Sequence, residues 1–244
     1  MLLLKLILFF ILIFNPACDD ADTGEKLIEY PLYVQGNSQA ASFTSGDGWQ
    51  IQLESAKMVF GNLLLCSHLP TFTKDSLTDC GEVMGEFAGA AEVDVLSDEE
   101  VNLGMVMGIT GQIHSAGYNF GFIWMSSQGE PVFLNPVNKE RSIYLKGNAS
   151  RDASSFEFEF EIDVVPAKQG ITGVGGISLK ADVSSQTRSL KLVTDPSDWL
   201  AGIEFGKIAN WEGEIKTIGP GNLQYNTLYY NIAGGQIIAF EFEN

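Results

Sequence analysis

The chain has 244 residues, 45% of them hydrophobic, and sets 31 acidic side chains against 14 basic ones for a formal charge of −17. That length and apolar fraction are enough for one full core. The acidity excludes a nucleic-acid partner, which needs clustered Lys and Arg to displace phosphate counterions, and the basic residues here stand singly.

Residues 1–17 read as a secretory signal peptide: Lys5 gives a basic start, Leu6 to Phe14 an apolar run, and Ala17 a small residue before the cleavage point. A membrane-spanning helix needs roughly 20 apolar residues, and this run is too short. Cys18 follows directly and reads as a lipid-attachment residue bearing acyl chains such as palmitate, although Asn15 stands where a lipobox ordinarily has a Leu-like residue. Cleavage without lipidation is the alternative. Residues 18–26 then form a lipidated N-terminus and short acidic tether, leaving 27–244 as a single β-sandwich or barrel-like domain. An acidic body repels anionic headgroups, so an acyl chain on Cys18 is the expected membrane attachment.

Within the domain, alternation predicts strands. The clearest case is Phe156-Glu157-Phe158-Glu159-Phe160-Glu161-Ile162-Asp163, where one face is apolar and the other acidic. Further strands are expected over Trp49–Leu53, Lys57–Leu65, Val83–Val95, Val101–His114, Asn119–Met125, Ser142–Ala149, Gly176–Val183, Ser189–Val193, Leu228–Ile232 and Gln236–Glu243. Gly-rich turns such as Ser45-Gly46-Asp47-Gly48 and Gly219-Pro220-Gly221-Asn222 separate them, as in an antiparallel sandwich or barrel. One short helix is expected over Thr194–Leu200, with Asp195 as N-cap and Pro196 at the first helical position.

Cys66 and Cys80 make an even pair once Cys18 is set aside, and in an oxidising compartment they should form a disulfide. Two free thiols are the alternative, as is a zinc set of Cys66, His68 and Cys80, at none of the usual finger spacings. No nucleophile elbow, phosphate loop or zinc-protease motif is present, which points away from an enzyme, with an unrecognised hydrolase as the minor alternative. Met105 and Met107 would share a strand face, and with His114 or His68 their thioethers could hold Cu(I). Core filling is the ordinary role of such methionines. The acidic loop Asp94–Glu100 offers oxygens that suit Ca²⁺, against the plainer reading of a solvated turn. Tyr118, Phe120, Phe122 and Trp124 would line one strand face, in the core or, if exposed, as a stacking surface for a flat ligand.

The segments Asp47-Gly48-Trp49-Gln50-Ile51-Gln52-Leu53 and Phe60-Gly61-Asn62-Leu63-Leu64-Leu65-Cys66 resemble those of a group of uncharacterised exported lipoproteins of Gram-negative bacteria. Cys80, Val93-Asp94-Val95-Leu96, Trp199-Leu200 and Phe205 extend the likeness over most of residues 45–205. The resemblance implies a lipid-anchored β-rich domain and no chemistry. The expectation is a non-catalytic binding module of the bacterial cell envelope, held to the outer membrane by lipid and contacting an envelope protein or small ligand. A copper-binding accessory protein is the alternative.

Overall fold

The computed structural model describes residues 24–70, 80–134, 141–234 and 237–244. The signal peptide, Cys18 and most of the tether lie outside the described residues. From the N-terminus, the strands are β1 (Leu27–Gln35), β2 (Ser42–Thr44), β3 (Gln50–Phe60), β4 (Leu63–Cys66), β5 (Val83–Phe87), β6 (Ala91–Asp94), β7 (Val101–Ile109) and β8 (Gly111–Tyr118). They continue as β9 (Phe122–Ile123), β10 (Val132–Phe133), β11 (Ile143–Arg151), β12 (Ser154–Ile162), β13 (Val174–Val183), β14 (Ser189–Thr194), β15 (Ile215–Ile218) and β16 (Ile238–Glu243).

Two large sheets and a two-stranded ribbon of β9 and β10 organise them. The larger has eight strands in the order β13-β8-β4-β5-β7-β1-β14-β16, and the smaller runs β15-β12-β11-β3-β2 with β6 added beside β3. Most pairs are antiparallel, but β1 pairs β14 and β12 pairs β15 in parallel. The large sheet curls toward closure: Tyr118 on β8 meets Phe240 on β16 at a ring separation of 6.4 Å, although five strands lie between them in the sheet order. The architecture is therefore all-β and intermediate between sandwich and barrel.

Alternation decides which side chains enter the core. On β12, Phe158, Phe160 and Ile162 are buried, while Glu157 and Glu161 face water. On β1, Tyr30, Leu32 and Val34 point inward with Val106 of β7 and Leu190 and Leu192 of β14. Cys66 and Cys80 form a disulfide, so neither thiol is free and neither is available to a zinc set.

The helix expected near Asp195 is present as α1 (Pro196–Trp199), and the Asp195 carboxylate accepts from the Ser197 backbone N–H at 2.8 Å. Two more helices correct the sequence reading: α2 (Phe205–Ile208) and α3 (Leu223–Ala233). The second replaces the strand expected over Leu228–Ile232. Asn222 caps it by accepting from Gln224 N–H at 2.8 Å, and the buried positions Gln224, Leu228 and Ile232 recur every fourth residue, the period of a helix face.

The strand expected over Asn119–Met125 is also corrected. β8 ends at Tyr118, Gly121 turns the chain at φ +83°, and only Phe122 and Ile123 pair again, with β10. The aromatic series is thereby divided. Tyr118 and Phe120 stack edge to face in the core at 5.0 Å, Phe122 packs on Phe133, and Trp124 reaches the outer surface of the large sheet.

Candidate functional site on the outer face of the large sheet

Met105 and Met107 do share a strand face, and it is the outer one. They are 46% and 63% exposed, which overturns core filling as their role. Val106 between them takes the inward position. The histidines are elsewhere. β8 is separated from β7 by β4 and β5, three strand spacings or about 14 Å. Met107 is level with Glu86, whereas His114 lies beside Ser115, which is level with Cys66 and Val83 at the far end of β5. His68 lies at that same far end: its carbonyl accepts from the Ser115 hydroxyl at 2.7 Å, and its ring covers Gly81, where an added Cβ would fall 2.5 Å from the imidazole. A single Cu(I) site of two methionines and a histidine is not assembled.

The acidic loop is similarly engaged within the protein. Asp98 accepts from the Ser38 backbone N–H at 2.8 Å and from the Ser38 hydroxyl, and these bonds hold its carboxyl below its ordinary pKa. Asp94 accepts from Leu96 N–H at 3.0 Å, and Glu100 pairs with Lys191 at 2.6 Å. Among the described residues no group of three or more His, Cys, Asp or Glu is placed to hold a metal.

Strand register brings a different set together. Across the outer face, Glu29 on β1 is opposite Met107 on β7, Met107 is opposite Glu86 on β5, Glu86 is opposite Leu64 on β4, and Leu64 is opposite Gly117 on β8. Directly opposed residues on one face have Cβ atoms about 5 Å apart, so this row is continuous. Pro31 and Met105 form a second opposed pair beside it.

Both ends of the row are hollowed. At the β1 end Leu27, Ile28, Glu29 and Met107 line an open hollow of about 260 Å³, with Leu27 88% exposed. At the β8 end Thr172 crosses over Gly117, where a side chain would meet its hydroxyl at 2.7 Å. There Asn62, Leu64, Glu86, Asn119, Trp124 and Thr172 are among the residues lining a cleft of about 130 Å³. Glu86 belongs to this cleft and also adjoins Met107, so it joins the two hollows.

Polar groups in the cleft are partly committed. Asn119 is only 6% exposed, and its Oδ1 accepts from Gly173 N–H at 2.7 Å, leaving its Nδ2 with no acceptor among the described residues. Asn62 is alike, with Oδ1 accepting from Gly89 N–H at 3.2 Å. The Trp124 indole N–H donates to the Gln128 carbonyl at 3.3 Å, which fixes the ring at the rim. Neither Glu29 nor Glu86 has an ion-pair partner among the described residues. A donor-bearing amide, a carboxylate with no ion-pair partner among the described residues, a hydroxyl and an aromatic ring thus converge on one apolar-floored cleft, the general make-up of a ligand site.

No family model matches the chain, and no curated protein sequence does. Among solved structures, MbnP from Methylosinus trichosporium is similar at a TM-score of 0.39 with 11% identity, over 90% of this chain and 99% of that one. A likeness at that level transfers nothing from that protein to this one.

Proposed function

We propose that this chain is a lipid-anchored protein of the bacterial cell envelope that binds an envelope component or small ligand on the outer face of its large sheet, without catalysing a reaction. The observation that carries this reading is the outward-facing row Glu29, Met107, Glu86 and Leu64, which ends in a cleft lined by the Asn119 amide and Trp124. Exposed apolar side chains gathered on one face favour contact with a partner. The tether adds to it, since lipid on Cys18 would hold Leu27, nine residues on, within about 30 Å of the membrane.

Cys18→Ser tests the anchor: the folded protein is expected in the soluble fraction, and membrane retention would count against lipidation. For the binding face, a photoreactive residue replaces Met107 in cells and, in a control strain, replaces Glu157 on the exposed face of β12. The reading expects adducts from position 107 and none from 157. Equal labelling, or none at either, would refute it.

A second reading is soft-metal binding, favoured by the two exposed thioethers on one face. Cu(I) would rest on Met105 and Met107, with Glu29 or Glu86 as a harder and weaker third ligand. Binding that resists a competing chelator and disappears in Met105→Leu/Met107→Leu supports it. Equal binding by that variant ends it.

A further inference from the structure

We propose that the cleft at the β8 end of the outer face takes one pyranose ring of a neutral saccharide, which rests on the proposal that this face binds and names its ligand class. A pyranose presents two chemistries at once: an apolar C–H face that settles on an aromatic ring, and equatorial hydroxyls that each need a donor or an acceptor. The cleft offers both. Trp124 is half-buried at its rim with Leu64 and Ile171 as apolar walls, and its indole is held by the Gln128 carbonyl. Among the polar groups, the Nδ2 of Asn119 has no acceptor among the described residues, on a side chain more than nine-tenths buried, and its orientation is fixed because Gly173 N–H occupies its Oδ1. Glu86 supplies a carboxylate, without an ion-pair partner among the described residues, to accept from hydroxyls, and Thr172 supplies a hydroxyl.

The Asn119 amide, held in one orientation, can donate to a hydroxyl entering the cleft. Size and charge narrow the ligand further. About 130 Å³, open to solvent, receives part of one ring and leaves the rest of the sugar and its neighbouring rings outside. The Glu86 carboxylate in a chain of net charge −17 disfavours uronic or sialic acids, leaving neutral sugars. The exposed strip toward Met107 gives a longer saccharide somewhere to lie.

The test is isothermal titration of the full chain in mild detergent with two probes, the tetramers of glucose and of N-acetylglucosamine. Saturable binding of at least one is expected. Glu86→Gln and Trp124→Ala should each weaken it by at least about 10-fold, the loss of one charge-assisted hydrogen bond or one stacking surface. Glu86 is exposed, so its variant is expected to keep the parent's thermal melt, which separates lost binding from lost fold. Glu157→Gln, on the exposed face of β12, should bind as the parent does. Absence of saturable binding by either tetramer up to about 10 mM, or binding unchanged in Glu86→Gln and Trp124→Ala, overturns the inference. Crosslinking at Met107 in the absence of tetramer binding would leave the binding face standing and remove only the saccharide; failure of both would remove both.

Discussion

Replacing Phe158 by Ala should be the most damaging single change on β12. Phe158 is fully buried, its ring lies 5.5 Å from Phe160 and 5.2 Å from Phe205, and it occupies the space above Gly147 on β11, where an added Cβ would come within 3.0 Å of the ring. Gly147 has no side chain to move into the hole, so the cavity stays open. Phe→Ala at such a site costs about 3–5 kcal/mol, and the lack of a neighbour able to fill the space puts this case in the upper half of that range. For a domain above 200 residues each kcal/mol shifts Tm by about 2–4 °C, so a fall of roughly 10 °C is expected. Calorimetric melts of Phe158→Ala beside Met107→Ala measure it. The exposed Met107 should shift Tm by no more than about 2 °C. A Phe158 variant within about 1 kcal/mol of the parent, or a Met107 variant as damaged as Phe158, would refute the assignment of inner and outer faces.

Removing the disulfide as Cys66→Ala/Cys80→Ala should cost about 3 kcal/mol, because the bond closes a loop of sequence separation 14 in the unfolded chain; denaturant melts would read it, and an unchanged midpoint would contradict it. Tyr30 and Tyr118 have buried hydroxyls without hydrogen-bond partners among the described residues, so Tyr30→Phe and Tyr118→Phe should leave stability at pH 7 unchanged or raise it, whereas a loss above about 1 kcal/mol would reveal a hidden partner. Burial raises the phenol pKa of both, and burial aided by Glu159 pushes Tyr144 up to about 12. Folded values above the unfolded value near 10 mean that the unfolded chain loses its protons first. Stability from these groups is therefore whole below pH 10 and lost as the pH climbs toward 12, which urea midpoints at pH 9 and 11 would register. Tyr30→Phe/Tyr118→Phe should flatten that decline.

How much of this was legible depends on whether the signal is local. Phe156 to Asp163 declares its strand because each residue reports its own face, and Asp195-Pro196 declares a helix start because cap and first turn are adjacent. The Cys66 and Cys80 pairing followed from cysteine parity. Leu228 to Ile232 misled because a five-residue window cannot separate period 2 from period 3.6, and the decisive Asn222 cap stood outside it. β1 went unread because Pro31 and Tyr33 on its outer face obscure the alternation, and its parallel partner β14 lies at the other end of the chain. The outer-face row was illegible for a related reason. Glu29, Leu64, Glu86 and Met107 are neighbours only through the pairing of four strands, and the exposure of Met107 depends on which face β7 turns inward. Sequence grouped Met107 with His114 because they are close along the chain, whereas the sheet sets two strands between theirs.

Methionine oxidation reads the outer face most directly. Peroxide should convert the exposed Met105, Met107 and Met125 of the purified chain to sulfoxides while Met58 and Met84, both buried, stay intact and serve as internal standards. In intact envelopes, the proposed binding role predicts that peptide mass spectrometry finds Met107 oxidised several-fold more slowly than in the purified chain, its face being covered by the partner. Equal oxidation of Met107 in the two settings, with Met58 still protected, would contradict the outer face as the working surface.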